Sequence, residues 1–187
     1  MLKAYMWRMK YQEIVTPDSF YVGLTGLEQW AKQTKQPMDR AILHSLIAGI
    51  YADYAANNQW ELRRRTEIVE EAPSADLREW TANIFVEKVR TNVKEALADS
   101  VLLLKTSSRD YIPFVELGET SEYYHHDMYH LLASRSIEAL QRVEELGNRI
   151  TNDGTVNPVK QDIIAIYGNM ISAYKATGLK EGYVLTA

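Results

Sequence analysis

The residues best equipped for chemistry sit together in His125-His126-Asp127-Met128-Tyr129-His130. His126 and His130 are four apart, so on a helix both would face the same way and could clamp a divalent metal. The run also resembles a zinc-protease motif with Asp127 where a glutamate should stand. Aspartate is one methylene shorter and would misplace the general base. A catalytic zinc usually takes three protein ligands, and no third is evident. The stretch also lies at an expected helix start, where polar side chains cap backbone N–H groups. Capping or packing is therefore the expected role, and His126 and His130 are kept only as metal candidates. Glu122 and His125 have the Glu-x-x-His spacing of di-iron bundles, but such sites need that motif twice plus two more glutamates. His44, the remaining histidine, has no glutamate at that spacing, so the set is incomplete.

Other candidates are weaker still. Arg63-Arg64-Arg65 is a basic run that could hold phosphate or an acidic partner. Glu67, Glu70 and Glu71 can offset it, so intramolecular pairing or a solvated helix end is expected. There is no glycine-rich phosphate loop. Ser107, Ser108 and Ser134 have no histidine at a recognisable motif spacing, although a triad is assembled by the fold and not by spacing. The absence of cysteine excludes disulfides, thiolate ligands, cysteine nucleophiles and an internal thioester. No complete catalytic set emerges, and no cofactor is expected. Among twelve tyrosines, Tyr54 lies on the apolar stripe of one helix and Tyr51 borders it, and Tyr123, Tyr124 and Tyr129 surround the histidines. Both Tyr51 and Tyr54 are expected to be largely buried, with at least one hydroxyl bonded to a polar group. A tyrosine-lined binding groove is the alternative.

The elements that must position these residues are helical. The five prolines and nine glycines fall mostly where helices should start or stop. Thr16-Pro17-Asp18-Ser19 reads as a helix start, with the helix running to about Thr34. Pro37 opens the next, with Leu43, Leu46, Ile47, Ile50 and Tyr54 as its core stripe and a fade near Asn57-Asn58. Asp76 to Trp80 suggests a short helical turn. A long helix is expected from about Thr81 to Leu104, with Ile84, Phe85, Val89, Val93, Leu97 and Val101 inward. Ile112 and Pro113 mark a connector. Another helix should run from Glu122 to Leu146 and stop at Gly147, a favourable left-handed end position. Asn152-Asp153-Gly154 is a turn, and Asn157-Pro158 opens a last helix ending at Gly178. The first dozen residues could add one more. No alternating β-branched run with hairpin signals occurs. The expectation is an all-α fold: an antiparallel helical bundle or a short stack of helix pairs, tetratricopeptide-like in part around Ile166, Tyr167, Ile171, Ala173, Tyr174 and Gly178.

Composition agrees. The chain has 187 residues, 46% hydrophobic and 25% charged, which suits a globular domain with a substantial core. Residues 1–187 are read as a single all-helical domain. A formal net charge of -4 argues against general nucleic-acid affinity. Lys3, Arg8, Lys10 and Glu13 interrupt any signal-peptide core, and no stretch approaches the ~18 apolar residues of a membrane span.

Two stretches carry a family likeness. One is Ile42-Leu43-His44-Ser45-Leu46-Ile47-Ala48 through Ile50-Tyr51, Tyr54, Asn58, Trp60 and Arg65-Thr66. The other is Asp127-Met128-Tyr129-His130-Leu131-Leu132-Ala133-Ser134-Arg135-Ser136-Ile137. Both, with the acidic-tryptophan turn Asp76-Leu77-Arg78-Glu79-Trp80, resemble the N-terminal helical region of the large alpha-2-macroglobulin-like proteins of Bacteroides-type bacteria. The likeness covers roughly Ile42 to Leu140. It departs at Met128-Tyr129-His130, where the family pattern is more apolar. The resemblance implies a non-catalytic structural or interaction module, a piece of a much larger protein located in the periplasm or cell envelope. It implies a parent that traps or inhibits proteases, with protein domains of that parent as partners. A free-standing tetratricopeptide-like adaptor for extended peptides is the second expectation, and a metal-dependent hydrolase built on the histidine cluster is the third.

Overall fold

The structure is a computed structural model that describes residues 20–65, 74, 76–111, 125–150 and 156–177, with side chains from 23 to 147 and from 156 to 176 within those ranges. Seven α-helices occur among the described residues: α1 (Phe20–Gln33), α2 (Pro37–Asn57), α3 (Gln59–Arg64), α4 (Ala82–Ala96), α5 (Ser100–Lys105), α6 (Met128–Ile150) and α7 (Pro158–Thr177). Single 3₁₀ turns lie at Leu77–Glu79 and Ser108–Tyr111. No strand is present among these residues, and one isolated bridge pairs Ser107 with Asp127. The chain is all-α, as its periodicity indicates. The expected helix at the N-terminus, the Thr16–Ser19 cap, the Ile112-Pro113 connector, the Asn152–Gly154 turn and Gly178 lie outside the described residues.

Local chemistry explains most boundaries. Pro37 takes the first turn of α2, where its missing N–H costs nothing. Asn58 ends that helix as its side-chain amide turns back to donate to the Tyr54 carbonyl at 2.8 Å. The single long helix expected over Thr81–Leu104 is instead two. Asp99 accepts a hydrogen bond from the Leu102 amide at 3.1 Å and so starts a fresh helix, α5. The break rotates the register: Leu103 is buried, whereas Val101, expected inward, is 61% exposed.

The helix expected over Glu122–Leu146 also differs at both ends. It begins at Met128 because Asp127 takes the cap, and it runs through Gly147 to Ile150. Gly147 is not a terminator. A Cβ there would come within 2.9 Å of both Asn157 Oδ1 and Val159 Cγ2, so the glycine permits the close approach of the α7 start. Asn157 caps α7 through its Oδ1, which accepts from the Val159 amide at 2.9 Å, while its Nδ2 donates to the Glu144 carbonyl at 3.0 Å.

The centre of the fold is α2, which packs against α1, α4 and α6. Its buried positions (Met38, Ala41, Leu43, Ser45, Ile47, Ala48, Tyr51, Ala52 and Ala55) cover more than half of the helix circumference. The expected stripe is therefore rotated. Leu43 and Ile47 are inside, but Leu46, Ile50 and Tyr54 lie on the border, and a row of alanines and one serine makes the rest of the seam. Small side chains let neighbouring helices approach closely and so occupy core without looking apolar. Contacts fix the helix directions. His44 meets Asn92 and Tyr54 meets Phe85, so α2 and α4 run antiparallel. Asn157 meets Glu144 and Tyr174 meets His130, so α6 and α7 do too.

Candidate functional site

The histidine cluster is organised by Asp127. Its carboxylate accepts the His130 backbone N–H at 2.8 Å, capping α6 in the ordinary way. The same carboxylate accepts from His130 Nδ1, at 2.8 Å to Oδ2 and 3.0 Å to Oδ1. A carboxylate oxygen accepts, so His130 Nδ1 is the donor in this pair. His130 is 3% exposed, and its Nε2 is buried without a hydrogen-bond partner. The aspartate that would be a displaced general base in a zinc motif is thus a helix cap and an imidazole anchor.

His126 precedes the helix, so the premise that it shares a helix face with His130 fails. The ring beside His130 belongs to His125, with centroids 4.6 Å apart. Tyr174, from the far end of α7, packs on both, at 4.6 Å from His125 and 4.5 Å from His130. His125 Nδ1 is 3.9 Å from Asp127 Oδ2, so two imidazoles share one carboxylate. Burial holds the His125 imidazole below its ordinary 6.5; His130 pushes the same way, Asp127 opposes, and His126 adds a smaller downward push. Tyr129 stands edge-on to His130 at 5.7 Å, and burial raises its phenol. Among the described residues no group of three or more histidine and carboxylate side chains is placed to hold a metal ion. Glu122, Tyr123 and Tyr124 lie outside them.

The fold also brings Ser107 and Ser108 to the histidines, an encounter that no spacing in the sequence indicates. Backbone groups make it: Ser108 N–H donates to the His126 carbonyl at 2.8 Å, and Met128 N–H to the Thr106 carbonyl at 2.9 Å. The Ser107 hydroxyl accepts from the Arg109 amide, and the Ser134 hydroxyl donates to the His130 carbonyl one turn back.

A second polar cluster joins α1, α2 and α4. The Tyr51 hydroxyl donates to Glu28 Oε1 at 2.8 Å, and Lys88 Nζ lies 3.2 Å from the same oxygen. The Lys88 ammonium also sits 5.7 Å from the Tyr51 ring centroid and 5.3 Å from that of Trp80, within cation–π range. Tyr51 and Trp80 stack at 5.6 Å, and Phe85 packs against both. Trp80 is held in place as its Nε1 donates to the Ser74 carbonyl and its own carbonyl accepts from Arg65. Burial, and then the bond to Glu28, raise the Tyr51 phenol. Tyr51 is 1% exposed, as expected, while Tyr54 is only half-buried. Glu28 and Lys88 went unrecognised in the sequence because partners sixty residues apart share no local pattern. His44, unassigned by spacing, donates from Nδ1 to buried Asn92 Oδ1 at 2.8 Å.

The arginine run is engaged within the chain. Arg63 pairs with Glu145, Arg64 lies 6.0 Å from the Trp60 ring centroid, and Arg65 pairs with Glu61. The expected offset by Glu67, Glu70 and Glu71 falls outside the described residues.

No known protein-family model matches this chain, no curated protein matches it in sequence, and no solved structure matches it in fold.

Proposed function

We propose that the chain is a non-catalytic helical interaction module of a larger, extracytoplasmic alpha-2-macroglobulin-like protein, whose partners are other protein domains of the same parent. The observation that carries the non-catalytic part is the use made of the polar side chains. Glu28 with Tyr51 and Lys88, and His44 with Asn92, each tie one helix to another, and Asp127 with His130 caps the start of α6 and anchors a buried ring there. Groups held in this way stabilise a scaffold. The extracytoplasmic parent, and its role in trapping or inhibiting proteases, rest on the sequence resemblance alone. No described helix is long and apolar enough to cross a membrane.

The test is the genomic reading frame. Macroglobulin-like sequence in the same frame supports the proposal, and a frame without it refutes the parentage. Purified chain turning over peptide or ester substrates would refute the non-catalytic part separately.

The antiparallel α6–α7 pair favours a second reading, a tetratricopeptide-like adaptor for an extended peptide. The central placement of α2 counts against it, because stacked repeats contact mainly their neighbours in sequence.

A further inference from the structure

We infer that α5 is a convertible segment, which exchanges between the separate, capped helix of this structure and a continuation of α4 running unbroken through Lys105. The observation that carries this is a helix break without a breaker. Between Val89 and Lys105 there is no glycine or proline. Leu97 and Ala98, at the break itself, are among the better helix formers. The backbone nevertheless leaves the helix there, with φ −105° and ψ 6° at Leu97 and φ −100° and ψ 67° at Asp99.

The side chains encode a second register. Val89, Val93, Leu97 and Val101 follow one another at four-residue spacing, and Leu104 lies three further on, so an unbroken helix would carry all five on one stripe. Val89 and Val93 are buried on that stripe and Leu97 is half-buried, whereas Val101 and Leu104 are exposed. Leu103, which lies off the stripe, is buried in their place. Apolar burial thus favours the break chiefly through one side chain.

Backbone bonding leans the other way. An unbroken helix would join the Asp99, Ser100 and Val101 amides to the Glu95, Ala96 and Leu97 carbonyls. The Leu103 amide donates to the Asp99 carbonyl at 3.0 Å, a bond common to both forms. The break substitutes a cap, in which the Asp99 carboxylate accepts the Leu102 amide at 3.1 Å. Two further contacts pin the separate form: Leu103 in the core, and the Thr106 carbonyl, which accepts the Met128 amide at 2.9 Å at the start of α6. Conversion gives up both, so the unbroken helix is the minor form. It realigns Val101 and Leu104 with Val93 and Leu97, turns Leu103 out, and couples the register of α4 to the clasp on α6.

Chemical-exchange saturation transfer NMR on the full chain reads such a minor form through its Cα shifts. The expected minor form has helical shifts at Leu97 and Ala98, whereas simple fraying of α5 would give coil shifts there. Two substitutions should move its population in opposite directions. Asp99→Ala removes the cap and raises helix propensity, so the helical form should rise roughly tenfold over wild type. Ser100→Pro suits the first position of α5 and follows a residue already outside the α region, but in an unbroken helix its ring would clash with the Ala96 carbonyl, so the helical form should vanish. Coil shifts in the minor form, no helical form in either wild type or Asp99→Ala, no rise in Asp99→Ala, or persistence in Ser100→Pro would each overturn the inference. If Asp99→Ala does not fold, wild type and Ser100→Pro decide: a helical form present in the first and lost in the second supports conversion, and its absence from wild type overturns it.

Discussion

Replacing Tyr51 by phenylalanine isolates one hydroxyl in the middle of the fold. The ring would keep its stacking on Trp80 and its edge contact with Phe85, so only the bond to Glu28 is lost. Hydrogen bonds to charged acceptors contribute about 1.5–3 kcal/mol, and neutral ones about 1 kcal/mol. Two features place this loss near the lower bound. The Glu28 side chain is partly accessible to water, and it retains Lys88 at 3.2 Å. The expected cost is therefore about 1–1.5 kcal/mol. Tyr51→Ala also removes a fully buried ring from between three helices and should cost about 3–5 kcal/mol. Urea denaturation at neutral pH measures both. The same bond has an alkaline signature. Because the folded phenol is raised, its stabilisation is complete below about pH 10, the unfolded value, and is lost as the pH rises past it. Tyr51→Phe should flatten that alkaline decline. A Tyr51→Phe midpoint matching wild type to within about 0.3 kcal/mol, with Tyr51→Ala costing under about 2 kcal/mol, would refute the claim that Tyr51 is a core anchor. It would favour a tyrosine-lined groove instead.

Three further outcomes follow from other contacts. Gly147→Ala improves intrinsic helix propensity by about 1 kcal/mol, yet its Cβ would overlap Asn157 and Val159, so a net loss of about 1–2 kcal/mol is expected; a higher melting temperature would show that α6 and α7 are not in close contact there. Asp127→Ala removes the α6 cap and leaves His130 Nδ1 buried without its acceptor, for a loss of about 2–4 kcal/mol; Asp127→Asn should recover part of it, and equal losses in the two variants would argue against the cap. The Arg142–Asp53 pair is half-exposed on both sides, so a double-mutant cycle should return under about 1 kcal/mol, with a larger coupling marking a tighter interface between α2 and α6 than described.

Much of the architecture was legible in the sequence because helix periodicity and caps are local. Pro37, Asn58 and Asn157 act within a few residues of themselves, and the boundaries they set fall where expected. Errors arose where local signals competed or a distant contact decided. Asp99 can cap a helix, but the apolar stripe Val93, Leu97, Val101 continues across it at four-residue spacing and reads as continuous, and only the burial of Leu103 in place of Val101 shows the break. Gly147 satisfies the rule for a helix terminator. Its actual role, giving room to Asn157 and Val159, exists only once α7 folds back.

For the candidate site the division is sharper. The sequence alone determined that the chain is helical, that it has no cysteine chemistry, and that the histidine stretch lies near a helix start. Tertiary structure decided which histidine meets His130. Four-residue spacing selects His126 only if a helix contains both, and Asp127 begins the helix one residue too late. It also decided that Tyr174 closes the stack and that Lys88 and Glu28 meet at Tyr51, because helix packing sets contacts between residues remote in the chain. Spacing records only which side chains share a helix face. Which face meets which depends on the crossing of whole helices, and that is settled by the summed burial of all of them.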